Sequence, residues 1–279
     1  MEGLPDIRQS DFEVVREAVK SVTGISLSDA KRSLVQTRLA KRLRHLGLTD
    51  FGEYVQYLRD HAGAEREALI ASMTTHTTHF WREGHHFDDL ARLVLKPAAQ
   101  RRPGALRLWC AASSTGEEPY CLAMTVAAHL DVAAWDVKIL ATDIDVGVLQ
   151  EAERAEYAAE DADIRPEFSH CFEPAPGAAA ERVRVRQHLR ALVRFRRLNL
   201  IDTSWPMRHG FDAIFVRNIL IYFDGPTQQS IVQRMVGHLR PNGVLVLGHA
   251  ESMLGVRAEL EPIGRGVFRR RHAWATNST

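Results

Sequence analysis

The sequence has little that would mark a secreted, membrane or fibrous protein. It holds only three cysteines in 279 residues, an odd number without metal-ligand spacing, which favours free thiols in a reducing compartment. Its longest apolar runs are far shorter than the ~18 residues of a membrane span. The N-terminus lacks a basic segment followed by an apolar stretch, so no signal peptide is expected. We therefore expect a cytoplasmic protein without direct membrane insertion.

Charge of one sign is also lacking, because 36 Lys and Arg residues nearly balance 35 Asp and Glu residues. The net charge of +1 argues against a protein that coats nucleic acid, although the distribution of charge can still be uneven. Hydrophobic residues make up 45% of the chain and charged residues 25%, which is typical of a folded globular protein. The length predicts one large domain or two unequal ones.

The first 100 residues show helical spacing of apolar residues and no strand-like alternation. We predict helices at about 12–21, 28–46, 51–59 and 64–72, with Asp50 and Glu53 as a capping pair for the third. This pattern predicts a helical N-terminal domain over residues 1–75. Residues 76–104 are expected to form a linker that contributes to a cofactor site.

From Ala105 onward, short apolar runs alternate with helical stretches. The runs lie at 105–110, 137–142, 211–216 and 243–248, which predicts βαβ units around a buried, mainly parallel sheet over 105–279. A last strand at 266–271 is expected to be antiparallel. Two stretches at 182–186 and 192–196 alternate within a basic region, and we expect them in a small antiparallel β insertion at about 166–195.

Polar residues follow three of the predicted strands, at the edge where open α/β sheets bind ligands. The loop after the first strand is built of small residues and lacks the G-x-G-x-x-G fingerprint, which argues against a nicotinamide oxidoreductase. Glu117 and Glu118 begin the next helix, where they would repel a pyrophosphate and suit a ligand with positive charge or hydroxyl donors. Stabilisation of the helix dipole alone is an equally good explanation of both residues.

Asp143 follows the second strand, at the position where nucleotide-binding folds hold the two ribose hydroxyls. Its neighbour Asp145 is better explained as a helix N-cap. Asn218 and Tyr222 follow the third strand within an apolar run, and Tyr222 taken alone is also compatible with a core aromatic whose hydroxyl points outward.

A fourth polar segment, 74–83, joins the helical region to the α/β region. It is dense in Thr and His and ends in two aromatic residues, an arginine and a glutamate. Four histidines lie in or just after it, namely His76, His79, His85 and His86. No cysteine or carboxylate joins them at a familiar spacing, so we expect no metal.

Six segments together resemble the chemotaxis receptor methyltransferases of the CheR family, and the resemblance covers nearly the whole chain. The segments are Phe80–Glu83, Ser114–Tyr120, Ala141–Asp145, Arg197–Leu200, Arg217–Asp224 and Gly248–Ser252. The resemblance implies a Rossmann-like class I methyltransferase sheet with a small antiparallel β insertion, preceded by an all-α domain. It also implies transfer of a methyl group from S-adenosylmethionine (SAM) to glutamate side chains of chemoreceptors, which yields methyl esters and S-adenosylhomocysteine.

The resemblance further implies which residues act. Arg82 and Tyr222 are implied to lie closest to the transferred methyl group, as the catalytic pair. The implied cofactor-binding residues are His76, Thr78, Arg82, Glu118, Asp143, Asn199, Leu200, Asn218 and Ile219. Family members often have Asn where this chain has His76, and Phe where it has Trp81. We assign Asp143 to the ribose hydroxyls and Glu118 to the sulfonium and ammonium groups, while the roles of Asn199 and Asn218 stay undivided.

Within the second predicted helix, the stretch Lys31–Leu46 holds six basic residues and no acidic one, namely Lys31, Arg32, Arg38, Lys41, Arg42 and Arg44. Arg38, Lys41, Arg42 and His45 share one helical face, which we expect to dock the acidic cytoplasmic helical bundle of a chemoreceptor. A solvated face without a partner is the alternative. The β insertion is also basic, and in some family members it tethers the C-terminal peptide of the receptor. One sequence leaves open whether this chain uses such a tether.

Two other functions remain alternatives. A nucleic-acid methyltransferase would use the same cofactor and the same basic helix. DNA amino-methyltransferases, however, carry an Asn/Asp-Pro-Pro-aromatic run where this chain has Arg217–Leu220 without prolines, so we expect no nucleic-acid partner. A non-catalytic module that binds only SAM or a receptor is the second alternative, and the intact Arg82, Asp143, Asn218 and Tyr222 count against it.

Overall fold

The computed structural model describes residues 6–160, 162, 164–177, 181–207, 210–251 and 259–271. Packing divides the chain into two compact units. The first unit contains the described residues up to Thr75 together with Tyr222–Thr227. The second contains the described residues of 76–221 and of 228 onward.

The first unit is helical. Its helices are α1 (Gln9–Thr23), α2 (Arg32–Leu46), α3 (Phe51–Asp60) and α4 (Ala62–Met73), with a 3₁₀ turn at Asp29–Lys31. Apolar residues at helical spacing face inward, as Phe12, Val15 and Val19 do in α1. The predicted cap of α3 is present, because the Asp50 carboxylate accepts a hydrogen bond from the Glu53 backbone N–H at 3.0 Å.

The second unit contains ten strands and six α-helices among its described residues. The strands are β1 (Ala105–Cys110), β2 (Asp136–Asp143), β3 (Glu156–Ala158), β4 (Phe172–Pro174), β5 (Arg182–Val185), β6 (Val193–Arg197), β7 (Phe211–Val216), β8 (Leu239–Leu247), β9 (Leu260–Gly264) and β10 (Val267–Arg270). The helices are α5 (His85–Leu90), α6 (Lys96–Ala99), α7 (Glu117–His129), α8 (Val146–Arg154), α9 (Gln187–Arg190) and α10 (Gly225–His238), the last of which begins within the first unit. Short 3₁₀ helices lie at Pro166–Cys171 and Leu220–Tyr222, and a π-helical segment, Ala91–Leu95, joins α5 to α6.

Seven of the strands form one sheet in the order β6-β2-β1-β7-β8-β10-β9. The first five are parallel to one another, and β10 is antiparallel to both of its neighbours. Numbered by themselves along the chain, these strands read 3-2-1-4-5-7-6, a doubly wound order whose switch point lies between β1 and β7. The predicted α/β class with a mainly parallel sheet and an antiparallel last strand is confirmed.

The small antiparallel sheet is also present, but its composition differs from the prediction. It pairs β3, β5 and β4, and so begins at Glu156. The expectation that the 192–196 stretch belongs to it is wrong, because Val193–Arg197 pairs in parallel with β2 at the edge of the large sheet. Val193 and Phe195 are buried while their neighbours in the strand are exposed, so a parallel edge strand here shows the alternation expected of an antiparallel one.

The core of the second unit lies along the sheet, where Leu108, Ile139 and Phe215 are fully buried. All three cysteines are buried and free, as expected from their number. Among the described helices, none is both long enough and apolar enough to cross a membrane.

Candidate functional site

The site is built where β1, β2 and β7 end side by side. Cys110, the last residue of β1, lies opposite Ala141 in β2 and Phe215 in β7. The loops that follow these strands therefore meet at the carboxyl edge of the sheet, next to the switch point.

Asp143 ends β2, and its carboxylate is held by the backbone. Oδ2 accepts from the Ser114 N–H at 2.9 Å, and Oδ1 accepts from the Asp145 N–H at 3.1 Å. Burial raises the pKa of Asp143, and these two donors only partly offset that effect. A carboxylate has about four acceptor positions, so one on each oxygen is left for a further donor. These two free acceptor positions suit a ligand with two neighbouring hydroxyl donors, such as the ribose of SAM.

His76 begins the second unit and is fastened to two of the strand-end loops. Its Nε2 lies 3.0 Å from Asp145 Oδ2, and its carbonyl oxygen accepts from Ser114 Oγ at 3.0 Å. The hydrogen bond with His76 lowers the pKa of Asp145. Asp145 also caps α8 by accepting from the Gly147 N–H at 2.7 Å, as expected.

Glu118 has a partner that its sequence neighbours do not reveal. Oε2 accepts from Arg217 Nη1 at 2.6 Å, and Oε1 accepts from the Cys110 thiol at 3.0 Å. The Arg217 side chain is 1% exposed and comes from the residue just after β7. The negative charge of Glu118 is therefore balanced inside the protein, which leaves less of it for the sulfonium and ammonium groups assigned to it from the sequence.

Arg217 also reaches the segment before α5. Its Nη2 lies 3.5 Å from Glu83 Oε2 and donates to the backbone carbonyl of Arg82. Burial opposes ionisation of Glu83, but Arg217, Asn218 and the His249 N–H outweigh it and hold the pKa of Glu83 below its ordinary value. One arginine thus ties the loop after β7 to α7 and to the residues around Arg82.

Arg82 itself is half-buried and already partly engaged. Its Nη1 donates to the Thr77 carbonyl oxygen at 2.9 Å, which leaves other N–H groups of the guanidinium for a ligand. The backbone on both sides is constrained, since Trp81 and Glu83 have φ values of 58° and 52°. The Trp81 N–H donates to Cys121 Sγ at 3.2 Å.

Residues with left-handed backbone conformation are concentrated in the loops of this site. Six non-glycine residues of the described chain have positive φ, and four of them belong to the strand-end loops and the Arg82 segment: Trp81, Glu83, Ser114 and Asn218. Each such conformation costs about 1–2 kcal/mol for an ordinary side chain, and less for Asn. The surrounding hydrogen bonds must outweigh this cost, so the segments are held in one geometry rather than loosely connected.

Glu251 holds the loop after β7. Oε1 accepts from the Ile219 and Leu220 N–H groups at 2.8 and 2.7 Å, and Oε2 accepts from the Gly248 N–H at 2.6 Å. Asn218 adds a bond from its Nδ2 to Glu83 Oε1 at 3.2 Å. Asn218 and Ile219, two of the implied cofactor-binding residues, are thereby fixed in place.

Glu83, Arg217 and Glu251 were given no role from the sequence, although each lies in a segment that carried the resemblance. Their partners are far away along the chain, so residue spacing could not reveal them. Ser252, the last residue of the sixth segment, lies outside the described residues.

Two of the remaining implied cofactor residues, Asn199 and Leu200, lie close to the end of β2. The Leu198 N–H donates to the Asp143 carbonyl at 3.0 Å, which places Asn199 and Leu200 beside it. Asn199 is 8% exposed, and its Oδ1 accepts from the Ile201 N–H at 3.3 Å. Thr78 is half-buried in the segment between His76 and Arg82.

Tyr222 groups with the helical unit. It is half-buried against the apolar core of that unit, and its carbonyl accepts from the Ser26 N–H at 2.8 Å. The catalytic role implied for Tyr222 stays a prediction.

The docking face expected on α2 is only partly available. Arg42 donates through Nε and Nη2 to Glu65, which is fully buried and also accepts from Tyr54 Oη at 3.1 Å. Arg38 donates to the carbonyl oxygens of Met73 and Thr74, at the end of α4. These two guanidinium groups therefore serve the interior of the helical unit. Lys41 and His45 are exposed.

Comparison of the sequence with known protein families agrees with this two-unit architecture. Residues 76–267 match the family model "CheR methyltransferase, SAM binding domain", and residues 10–74 match "CheR methyltransferase, all-alpha domain". The chain belongs to the CheR methyltransferase family. Its second unit is thus the SAM-binding methyltransferase domain of the family, and the free acceptor positions of Asp143 fit that cofactor.

Relatives within the CheR family span nearly the whole chain. Chemotaxis protein methyltransferase 2 of Pseudomonas aeruginosa is 41% identical over 262 residues, which cover 93% of this chain and 92% of that protein. The chemotaxis protein methyltransferase of Escherichia coli is 41% identical over 266 residues, covering 94% and 91%. That of Borreliella burgdorferi is 33% identical over 257 residues, covering 90% of each.

Proposed function

We propose that this CheR-family chain acts in chemotactic adaptation, as a protein-glutamate O-methyltransferase that converts glutamate side chains of chemoreceptors into methyl esters. The relatives are named as chemotaxis methyltransferases, and the strand-end site supplies matching chemistry. The observation that carries the proposal is a constrained arginine in a segment that is fastened to the loops around a carboxylate suited to ribose hydroxyls. Arg82 is held by Thr77 and Arg217, in a segment whose first residue is fastened to the loops around Asp143.

SAM, when bound, supplies a methyl group activated by the adjacent sulfonium cation. Asp143 would accept the ribose hydroxyls. The segments Thr78–Arg82, Asn199–Leu200 and Asn218–Ile219 would complete the pocket. Glu118 would act through Arg217, by holding the arginine that fixes the Arg82 backbone.

The acceptor places few chemical demands on the protein. A glutamate side chain has a reference pKa of about 4.3, so it is ionised at neutral pH and needs no general base. Arg82 would orient one carboxylate oxygen and leave the other free to react. A full bidentate grip would reduce the nucleophilicity of the carboxylate, so we expect a looser contact with Arg82. Tyr222 would fix the cofactor or the reacting oxygen, and the proposed reaction needs no metal.

We further propose a cytoplasmic location, with residues 1–75 as a docking domain for the helical bundle of the receptor. The exposed basic residues of α2, Lys41 and Arg44 together with His45, are the candidate contacts. A receptor C-terminal peptide could add as a strand beside β3 or β4, the edges of the small sheet.

The test incubates the protein with methyl-labelled SAM and receptor-bearing membranes. We expect a base-labile methyl ester on the receptor. Arg82→Ala should abolish the label while SAM affinity, measured by calorimetry, falls far less. Arg102→Ala, an exposed arginine of the same unit, is the matched control and should retain full labelling. Label in nucleic acid, or equal losses of transfer and affinity in Arg82→Ala, would overturn the proposal.

A further inference from the structure

The fold brings together three histidines that are far apart in the chain. His85 and His86 begin α5, and His249 follows β8. The Nε2 atoms of His85 and His249 are 3.2 Å apart, and one ring nitrogen from each histidine lies within 4.8 Å of the others. Glu83 adds a carboxylate, with Oε2 3.4 Å from His86 Nδ1 and 3.9 Å from His249 Nε2.

The hydrogen bonds of His86 define its tautomer. Its Nε2 lies 3.2 Å from the carbonyl oxygen of Arg265, which can only accept, so in the neutral ring Nε2 carries the proton. Nδ1 then carries a lone pair and can only accept a hydrogen bond or bind a metal ion. This Nδ1 atom is buried and has no hydrogen-bond partner, and the His86 side chain as a whole is 0% exposed. The nearby oxygen of ionised Glu83 is also an acceptor, so two acceptors face each other across 3.4 Å.

This arrangement matches the way proteins hold metal ions. A histidine that binds a metal through one nitrogen usually donates its other N–H to a backbone carbonyl or carboxylate, as His86 does to Arg265. With Zn–N bonds of about 2.0–2.1 Å, two nitrogens of a tetrahedral site lie about 3.3 Å apart. The separation of 3.2 Å between His85 and His249 is close to that value.

We propose that His85, His86 and His249 bind a divalent transition-metal ion of the Zn²⁺ class, with Glu83 as the fourth ligand. Imidazole donors favour Zn²⁺, Ni²⁺ or Cu²⁺ over Mg²⁺ and Ca²⁺, which prefer all-oxygen sites. The sequence led us to expect no metal because the four histidines at 76–86 lack partners at a familiar spacing. The fold separates this group, pairing His76 with Asp145, and supplies His249 from a distant segment instead.

The test uses the full chain, stripped with a chelator and titrated with ZnCl₂ by calorimetry. We expect one Zn²⁺ per chain. In the NMR spectrum of ring-¹⁵N-labelled histidine, the signals of His85, His86 and His249 should move together at one equivalent.

His249→Ala is the variant of choice, because His249 is exposed and its removal leaves the core intact. Loss of an outer-shell partner costs about 10–100-fold in metal affinity, so loss of a ligand should weaken Zn²⁺ binding by about 100-fold or more. His188→Ala, an exposed histidine on α9, is the control and should bind as tightly as the parent. Equal affinity in His249→Ala and the parent, no uptake of Zn²⁺, or shifts spread over other histidines would overturn the proposal.

Discussion

Two arginine–carboxylate pairs, one in each unit and each with one buried partner, have the same chemistry and different consequences. In the helical unit Arg42 meets Glu65 at 2.6 Å, and in the sheet unit Arg217 meets Glu118 at 2.6 Å. The first pair has one further side-chain contact, a hydrogen bond that the Tyr54 hydroxyl donates to the Glu65 carboxylate. In the second pair, Arg217 also contacts the Glu83 carboxylate and the backbone carbonyl of Arg82. The difference lies in what surrounds the pair, since only the second sits at the carboxyl ends of parallel strands.

The largest expected effect is that of Arg217→Met. It leaves Glu118 and Glu83 without their buried cation, which should cost about 3–5 kcal/mol of stability. It also releases the Arg82 carbonyl, so methyl transfer should fall to background even where the protein stays folded. Urea unfolding and the labelled-methyl assay measure the two effects. Transfer at the parent rate in folded Arg217→Met would show that this pair is only structural.

Arg42→Met is the matching change in the helical unit. It isolates the fully buried Glu65, so a loss of about 3–5 kcal/mol is expected in urea unfolding. SAM affinity in the folded protein should stay unchanged. Adding Glu65→Leu and Tyr54→Phe should restore most of the stability, because apolar groups of similar volume then replace the ion pair and the hydroxyl bonded to it. A drop in the SAM affinity of Arg42→Met would show that the pair in the helical unit also supports the cofactor site.

Glu251→Gln tests how far the strand-end network extends. The amide retains one acceptor oxygen for the three backbone N–H groups now shared between two oxygens. Hydrogen bonds to charged groups contribute about 1.5–3 kcal/mol, so SAM affinity should weaken by at least about tenfold. Glu173→Gln in β4 is a control for the loss of a charge and should change affinity less than about twofold. Calorimetry of SAM binding compares them.

The pH dependence of SAM binding should follow Asp143. Hydroxyl donors need the ionised carboxylate, so affinity is highest above the raised pKa of Asp143 and falls as pH drops through it. Burial is the cause of the shift, and the fall should begin at a higher pH than an ordinary aspartate, with pKa of about 3.9, would give. The slope reaches at most about tenfold per pH unit. Asp143→Asn should bind weakly with a flatter profile, and an unchanged slope in that variant would exclude Asp143 as the titrating group.

The smallest effect is expected on the surface of α2. Lys41→Glu should raise the apparent KM for receptor severalfold at low salt and less at high salt, because it changes an exposed charge. Stability and SAM affinity should stay within error. Arg38→Glu, by contrast, should destabilise the helical unit, since its guanidinium binds the end of α4. If Lys41→Glu leaves KM unchanged, the helix is a solvated face.

Local patterns predicted much of the fold. The bounds of β1 and β7 were predicted residue for residue, because both are largely buried strands that begin directly after a glycine. The Asp50 cap was also predicted, since its partner is three residues away. The edge strand β6 was assigned to the wrong sheet, because half-burial produces alternation in either kind of sheet. β9 was missed, as Ile263 is the only one of its five residues with high strand preference.

The site was predictable where a residue acts through its place on a strand, and not where it acts through a distant partner. Asp143 lies where the strand-end rule placed it. Arg38 and Arg42 share a helical face, but the carboxylate and carbonyl groups that bind them come from α4. The same limit hid Arg217, whose partners Glu118 and Glu83 are far away along the chain.

The return of Tyr222–Thr227 to the helical unit limits how the protein can be divided. The Ser26 N–H bonds to Tyr222, and Lys20 pairs with Asp224 at 3.1 Å, so both contacts join residues more than 190 positions apart. A fragment ending at residue 75 would lose both. The helical unit therefore cannot be excised, exchanged between relatives or fused to another protein as one continuous segment without losing these contacts. A graft should carry the 222–227 segment with it.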